Sequence, residues 1–501
     1  MRWSINKHQF KQLCSSCDFL LNENPSLERV SNNALHVLRP HPEIIRRYKN
    51  IFEDWSFNFL LHFRNIAHVF WTLSCSLVLS KSLDKNVLKN RSSVLIISHL
   101  INKEHLNDSN DFYFSDLTDC LAKAGISSSI ALINHIDEGR KERDGYLIGE
   151  QKNRFILSKY LDFKSELCIV WCLLKDSLRL LDLATNTQSY FEKRVFRLAA
   201  IEAFSGPSKV AFRLGLQIRA LVEAVQPSVL LITYEGHAWE RLVFANARSV
   251  SPNIVCIGYQ HSVLFYMQHA LKRALRPEYN PDMIFTSGIS GKQNLKIWLD
   301  KFGTPIGLLG SPRYMNSGPV ITSDKKASSC LVIPEAFTGE INILFDFSLI
   351  CALKHPEIKF IWRLHPSSRS SLLVGRFGRF KDLPKNVVFS DKSIQEDARE
   401  ARWALYRGST AIIQVCRECV VPIYVACDDE ITINSLEPVQ DNVMMASNVK
   451  DFTDIIKQGS GSLSDMSVVQ DYCMKIFTEF DSREFIQKIS KIASLHPKGH
   501  L

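Results

Sequence analysis

The chain has 501 residues, enough for about two to four domains. Its 46% hydrophobic and 23% charged residues are ordinary for a soluble globular protein. A net charge of +9 is too thin over this length for a dedicated nucleic-acid binder, so no nucleic-acid partner is expected; it fits an anionic substrate and an anionic membrane surface equally well. Residues 1–90 read as a mostly helical extension, turned at Asn24-Pro25 and broken at Pro40 and Pro42, with no catalytic motif. His41, and further on His99, are single histidines without partners at metal-ligand spacing. The most apolar stretch, Ala67–Ser80, is too short to span a bilayer and reads as a buried helix, with a membrane-surface contact as the other reading.

At Ser93 the pattern changes. SVLIISHL (93–100) reads as a buried strand, FSDLTDCLAKAG as an amphipathic helix closing at Gly125, and ISSSIALINH (126–135) as the next strand. This β–α–β order opens a doubly wound sheet. Residues 137–154 read as a charged loop and residues 155–225 as several helices. Strands ending at Gly288 and at Gly310-Ser311-Pro312-Arg313 flank a helix over 292–303. The polar stretch 314–328 reads as an interdomain linker, and a second α/β series follows: strands over 330–336, 359–368, 386–391 and 421–426, then a helical tail.

The stretch VLLITYEGHAWERLVFANARSVSPNIVCIGYQH (229–261) organises the first half. It reads as strand, acid, helix, strand, histidine, with Glu235 and His261 at the two strand ends. In open α/β sheets ligands bind beyond those ends, so both residues are expected in one cleft. An acid in Glu235's place either works in the cleft or caps the helix that follows. The second half repeats the device. In Arg363-Leu364-His365-Pro366-Ser367-Ser368, alternation puts Arg363 and His365 on one face as the strand ends, where both can donate to a phosphate. In Arg407-Gly408-Ser409-Thr410, glycine permits close backbone approach, and the hydroxyls are expected at a helix N-terminus that favours an anion or a plain cap. The sequence has no GxGxxG fingerprint, P-loop, GxSxG, HExxH or paired-acid metal motif. Thirteen scattered cysteines point to reduced thiols in a cytoplasm.

Taken in order, TYEGHAWER (233–241), IGYQH (257–261), LLGSPR (308–313), RLHPSS (363–368) and YRGST (406–410) resemble bacterial GT-B-fold glycosyltransferases that build surface polysaccharides. The pattern is most similar to surface carbohydrate biosynthesis proteins and the neighbouring capsule, Kdo and sialic-acid-type transferases. The resemblance implies two Rossmann-like αβα domains facing across a cleft: an acceptor domain (91–315), a linker (316–328) and a nucleotide-sugar domain (329–465), with a helical tail over 466–501. It implies Glu235 as the base beside His261, and Arg313, Arg363, His365, Pro366, Ser367, Arg407, Gly408, Ser409 and Thr410 as donor-binding residues. Gln414 stands where related folds often carry a ribose-binding glutamate. The expected activity is inverting, metal-independent transfer of a sugar, favouring a CMP-activated nonulosonic or Kdo-like sugar over an NDP-sugar, onto a surface glycan or lipid-linked glycan. No cofactor and no metal are expected. The expected location is cytoplasmic, with peripheral contact at the inner membrane as an extension of that reading. A nucleotide-sugar epimerase and a non-catalytic polysaccharide-assembly protein remain the alternatives.

Overall fold

The computed structural model describes residues 4–23, 25–53, 59–79, 91–101, 110–136, 154–314, 328–365, 382–428, 431, 433–458 and 463–495. Nearly all of the expected linker lies outside them, as do Pro366 and Ser367. The chain builds two parallel sheets. The first holds seven strands: β1 Val94–Leu100, β2 Ser128–Asn134, β3 Arg154–Ile156, β4 Val229–Thr233, β5 Val255–Gln260, β6 Met283–Thr286 and β7 Ile306–Leu308, in the order β3-β2-β1-β4-β5-β6-β7. The second holds six: β8 Ser329–Ile333, β9 Lys359–Trp362, β10 Val387–Phe389, β11 Trp403–Tyr406, β12 Val421–Val425 and β13 Met444–Ala446, in the order β10-β9-β8-β11-β12-β13. This is the expected pair of Rossmann-like αβα domains, with the helical N-terminal region in place.

The continuous apolar runs explain the parallel sheets, because such strands are covered on both faces. Along β4 the period of two sorts the side chains. Leu230 and Ile232 pack with Leu221, Val225 and Phe244 from the helices Gly206–Val225 and Ala238–Val250. Val229 and Leu231 turn the other way, into a cluster with Phe114, Leu117, Phe485 and Ile489. Phe485 and Ile489 belong to the helix Arg483–Leu495, so the tail returns to the first sheet. Its approach is fixed by Asp481 N–H donating to the Leu309 carbonyl at 2.8 Å and Ser311 N–H donating to the Thr478 carbonyl at 3.0 Å.

Three local readings need correction. β3 lies where loop and helix were expected, and β13 was not foreseen; each is a three-residue edge strand, too short to show a period. β9 ends at Trp362 instead of running on to 368. In each sheet the strand order reverses beside a central strand, between β1 and β4 and between β8 and β11. The crevice beyond a sheet's C-terminal edge opens at such a reversal.

Candidate active site

Glu235 stands two residues past β4. Gly236 makes the turn with φ +86°, and a Cβ there would come within 2.6 Å of the Ala270 carbonyl carbon, so glycine is required. Glu240 takes the capping role: one of its carboxylate oxygens accepts the backbone N–H groups of Glu235 (3.0 Å), Gly236 (2.7 Å) and His237 (2.8 Å). The side chain of Glu235 is thereby left to the cleft, where its Oε2 pairs with His237 Nε2 at 3.2 Å. Burial alone would raise the Glu235 carboxyl. The hydrogen bond from His237, the charges of His261 and His237 and the Ser262 hydroxyl outweigh it and hold that group well below the usual carboxylate range. On His237, burial is likewise outweighed by the Glu235 hydrogen bond and by the charges of Glu240 and Glu235, and the imidazole is lifted to about 9. Burial pushes Glu240 up to about 7.

His261 follows β5 directly and meets the edge of the Tyr113 ring at 4.6 Å between centroids. Burial lowers its pKa; the Glu235 charge opposes this and Arg313 adds to it. His99, near the end of β1, is no isolated residue: Nδ1 is hydrogen-bonded to His135 Nε2 at 2.9 Å and Nε2 to Thr233 Oγ1 at 2.8 Å. Burial, then the neighbouring histidines, lowers His99 to about 3. Four strand ends of the first sheet thus supply Glu235, His261, His99 and His135.

The second sheet faces them with Glu335, which follows β8. Its Oε1 accepts from His41 Nε2 at 3.1 Å, and the His41 ring is oriented because Nδ1 accepts the Glu43 N–H at 3.2 Å. Oε2 accepts from Arg39 Nη2 at 3.4 Å, and the Arg39 guanidinium lies 3.8 Å over the Phe265 ring. The N-terminal extension, read as empty of chemistry, therefore places Arg39 and His41 in the cleft. The Glu235 charge is felt by Arg39, Tyr113 and His261, and that of Glu335 by His365. Arg313 reaches across: Nη2 donates to Thr410 Oγ1 at 3.3 Å, and its carbonyl accepts from Gln414 Nε2 at 3.4 Å. Burial holds the Arg313 guanidinium down to about 10. Burial lowers His365 as well, with the Arg313 charge acting in the same direction.

Several of the expected donor-site residues have partners within the protein. Arg363 ion-pairs with Asp397 and donates to the Lys392 carbonyl at 2.6 Å, tying the end of β9 to the helix Ile394–Glu400. Arg407 is fully buried, paired with Glu340 at 2.6 Å and bound to Val425 and Cys427; removing either partner of such a pair strands a buried charge. At Gly408 a Cβ would meet Glu335 Oε1 at 1.9 Å, so the glycine admits that carboxylate. The helix after Thr410 is only Ile412–Cys416 with Ala411 at its cap, so Ser409 and Thr410 do not sit on a long helix dipole. Ser409 is buried, its carbonyl accepting from Ser435 Oγ at 3.2 Å; Thr410 is half-buried.

Among the described residues no three His, Cys, Asp or Glu side chains come together to hold a metal, and no helix is long and apolar enough to cross a membrane. No family model matches the chain, and no curated protein does. Solved structures similar to it include a putative UDP-N-acetylglucosamine 2-epimerase from Listeria monocytogenes (10% identity, 82% of this chain and 98% of that one, TM-score 0.45). Others are an α,α-trehalose 6-phosphate synthase from Burkholderia multivorans (10%, 82% and 100%, TM-score 0.45) and the glycosyltransferase SnogD from Streptomyces nogalater (11%, 81% and 100%, TM-score 0.42).

Proposed function

We propose that this protein is an inverting, metal-independent glycosyltransferase that moves a sugar from a nucleotide-sugar donor to a hydroxyl of a surface glycan or lipid-linked glycan. The observation that supports this reading most is the facing of two C-terminal sheet edges, one carrying Glu235, His237 and His261, the other Glu335, His365 and the Arg313–Thr410 bridge. A general base works best with a pKa near the operating pH. Glu235, held far below that by His237, is better suited as a permanent anion. His261, whose pKa burial lowers against the opposing Glu235 charge, takes the acceptor proton, and Glu235 stabilises the imidazolium that forms. Arg313, Thr410 and His365 stabilise the leaving phosphate. The donor is a CMP-activated nonulosonic or Kdo-like sugar, an assignment that rests on the sequence resemblance.

The test is a thermal-shift screen with CMP, UDP and GDP, followed by a transfer assay with the stabilising nucleotide's sugar. A nucleotide at about 100 times its dissociation constant stabilises by about 2.7 kcal/mol. No shift with any of the three refutes the reading. UDP alone moves the donor to an NDP-sugar. Glu235 and Glu335 on opposite edges also suit a nucleotide-sugar epimerase, which converts the donor with no acceptor present.

A further inference from the structure

Over residues 63–78 the helix Phe59–Leu79 is built inside out. Toward the protein it turns Asn65, Thr72 and Ser76, all buried. Asn65 Nδ2 donates to the Ile201 carbonyl at 3.2 Å, and the two hydroxyls donate to the helix's own carbonyls at His68 and Leu73, each at 2.7 Å. Toward solvent it presents Phe63, Ile66, Phe70, Trp71, Leu77 and Val78, with Phe70 67%, Trp71 65% and Val78 79% exposed. These positions fall on one helical face. The adjoining helix Phe163–Asn186 buries Ile169, Leu173 and Leu180 in the ordinary way and exposes Phe163, Leu167, Trp171 and Leu178 beside that face. A polar buried side and an apolar outer side reverse the order that folding alone selects, so the outer side is shaped by something that covers it.

The charges choose the occupant. The helix Phe59–Leu79 contains Arg64 and no acid. On the neighbouring helix the exposed charges are Lys164, Lys175 and Arg179 against Asp182, and the Lys175 ammonium lies 5.3 Å over the Trp171 ring. A two-fold dimer sets a patch against itself, basic group toward basic group. An anionic lipid surface complements it, and tryptophan and phenylalanine beside Lys and Arg are the side chains that settle at that interface. We propose that this two-helix face docks the protein peripherally on an anionic bilayer surface, its helices lying in the interface plane. Lipid docking stands independently of the sugar-transfer reading.

The full chain is sedimented with vesicles of phosphatidylcholine mixed with phosphatidylglycerol, and with vesicles of phosphatidylcholine alone. The protein pellets with the mixed vesicles far more than with the neutral ones, and salt weakens the binding. Phe70→Glu lowers the partition about tenfold or more without moving the melting temperature, because the ring touches solvent and not the core. Lys175→Glu with Arg179→Glu erases the preference for anionic lipid. Failure of the wild-type chain to pellet with either vesicle overturns the proposal, as does a partition that Phe70→Glu leaves unchanged. A dimer seen by light scattering and dissociated by Phe70→Glu also overturns it, since the face then belongs to a second copy.

Discussion

Glu235→Gln tests the ion pair at the centre of the site. Glutamine keeps the shape, and Glu240 still caps the helix, so the substitution removes a charge and little else. The Glu235 hydrogen bond, with the charges of Glu240 and Glu235, lifts His237 from 6.5 to about 9. At 1.36 kcal/mol per unit the whole lift is worth about 3.4 kcal/mol; Glu240 supplies part of it and solvent at both side chains screens the rest, leaving about 1–3 kcal/mol to Glu235. The sign follows from linkage. A histidine whose folded pKa is raised contributes stability that is complete below its unfolded value and is lost as pH rises through about 9. The same coupling depresses Glu235, so on the acid side it is lost as pH falls through that carboxyl's lowered pKa. Melting curves of wild type and Glu235→Gln, taken from about pH 6 to about pH 10, therefore start far apart and converge. A gap that stays constant over this range refutes the ion pair. In a transfer assay at neutral pH the variant loses turnover and keeps its donor affinity.

His261→Asn removes the proposed base and lowers turnover by about 10²–10⁴-fold with the nucleotide dissociation constant unchanged; steady-state kinetics alongside calorimetry checks both halves. Activity persists in EDTA, and a loss restored by Mg²⁺ would place the metal-free mechanism in error. Gly236→Ala forces a side chain into the Ala270 backbone at positive φ, and its melting temperature falls below that of a Gly303→Ala control, whose Cβ meets nothing within 4 Å although its φ is positive too.

The strand-end logic was legible where runs were long and apolar. β1, β2, β4 and β5 fall within a residue or two of their expected places, and with them Glu235 and His261. The same rule could have found His99 and His135, which close two of those strands; looking for metal spacing instead passed over them. Glu335, two residues past β8 as Glu235 is past β4, was within reach of that rule too; Arg39 and His41 left no such trace, since they meet Glu335 across 294 residues or more of sequence and no period links them. The pairing of Arg407 was hidden for a similar reason. An arginine before a glycine at a strand end suits a phosphate, but its partner Glu340 lies on the helix after β8, and only the fold brings that carboxylate beneath it.

The charge balance of the cleft yields a last prediction. Before any ligand arrives, Glu235 and Glu335 face Arg39, Arg313 and the protonated His237. A CMP-linked acidic sugar adds a phosphate and a carboxylate to this nearly balanced set of described residues. The cheapest source of positive charge is a proton on a neutral imidazole. His365 is that group: burial and Arg313 lower its pKa in the empty cleft, and an anion beside it reverses the Arg313 contribution. Donor binding should then take up a proton, and affinity should rise as pH falls toward the ordinary histidine range. Calorimetry in buffers of different ionisation enthalpy measures the uptake directly. His365→Ala should abolish it and weaken binding by about 1.5–3 kcal/mol, the range for a hydrogen bond to a charged group. Proton uptake that survives in His365→Ala would transfer the role to His261. Binding without uptake in the wild-type protein would mean that the donor is met by fixed charge alone, with Arg39 leaving Glu335 to supply it.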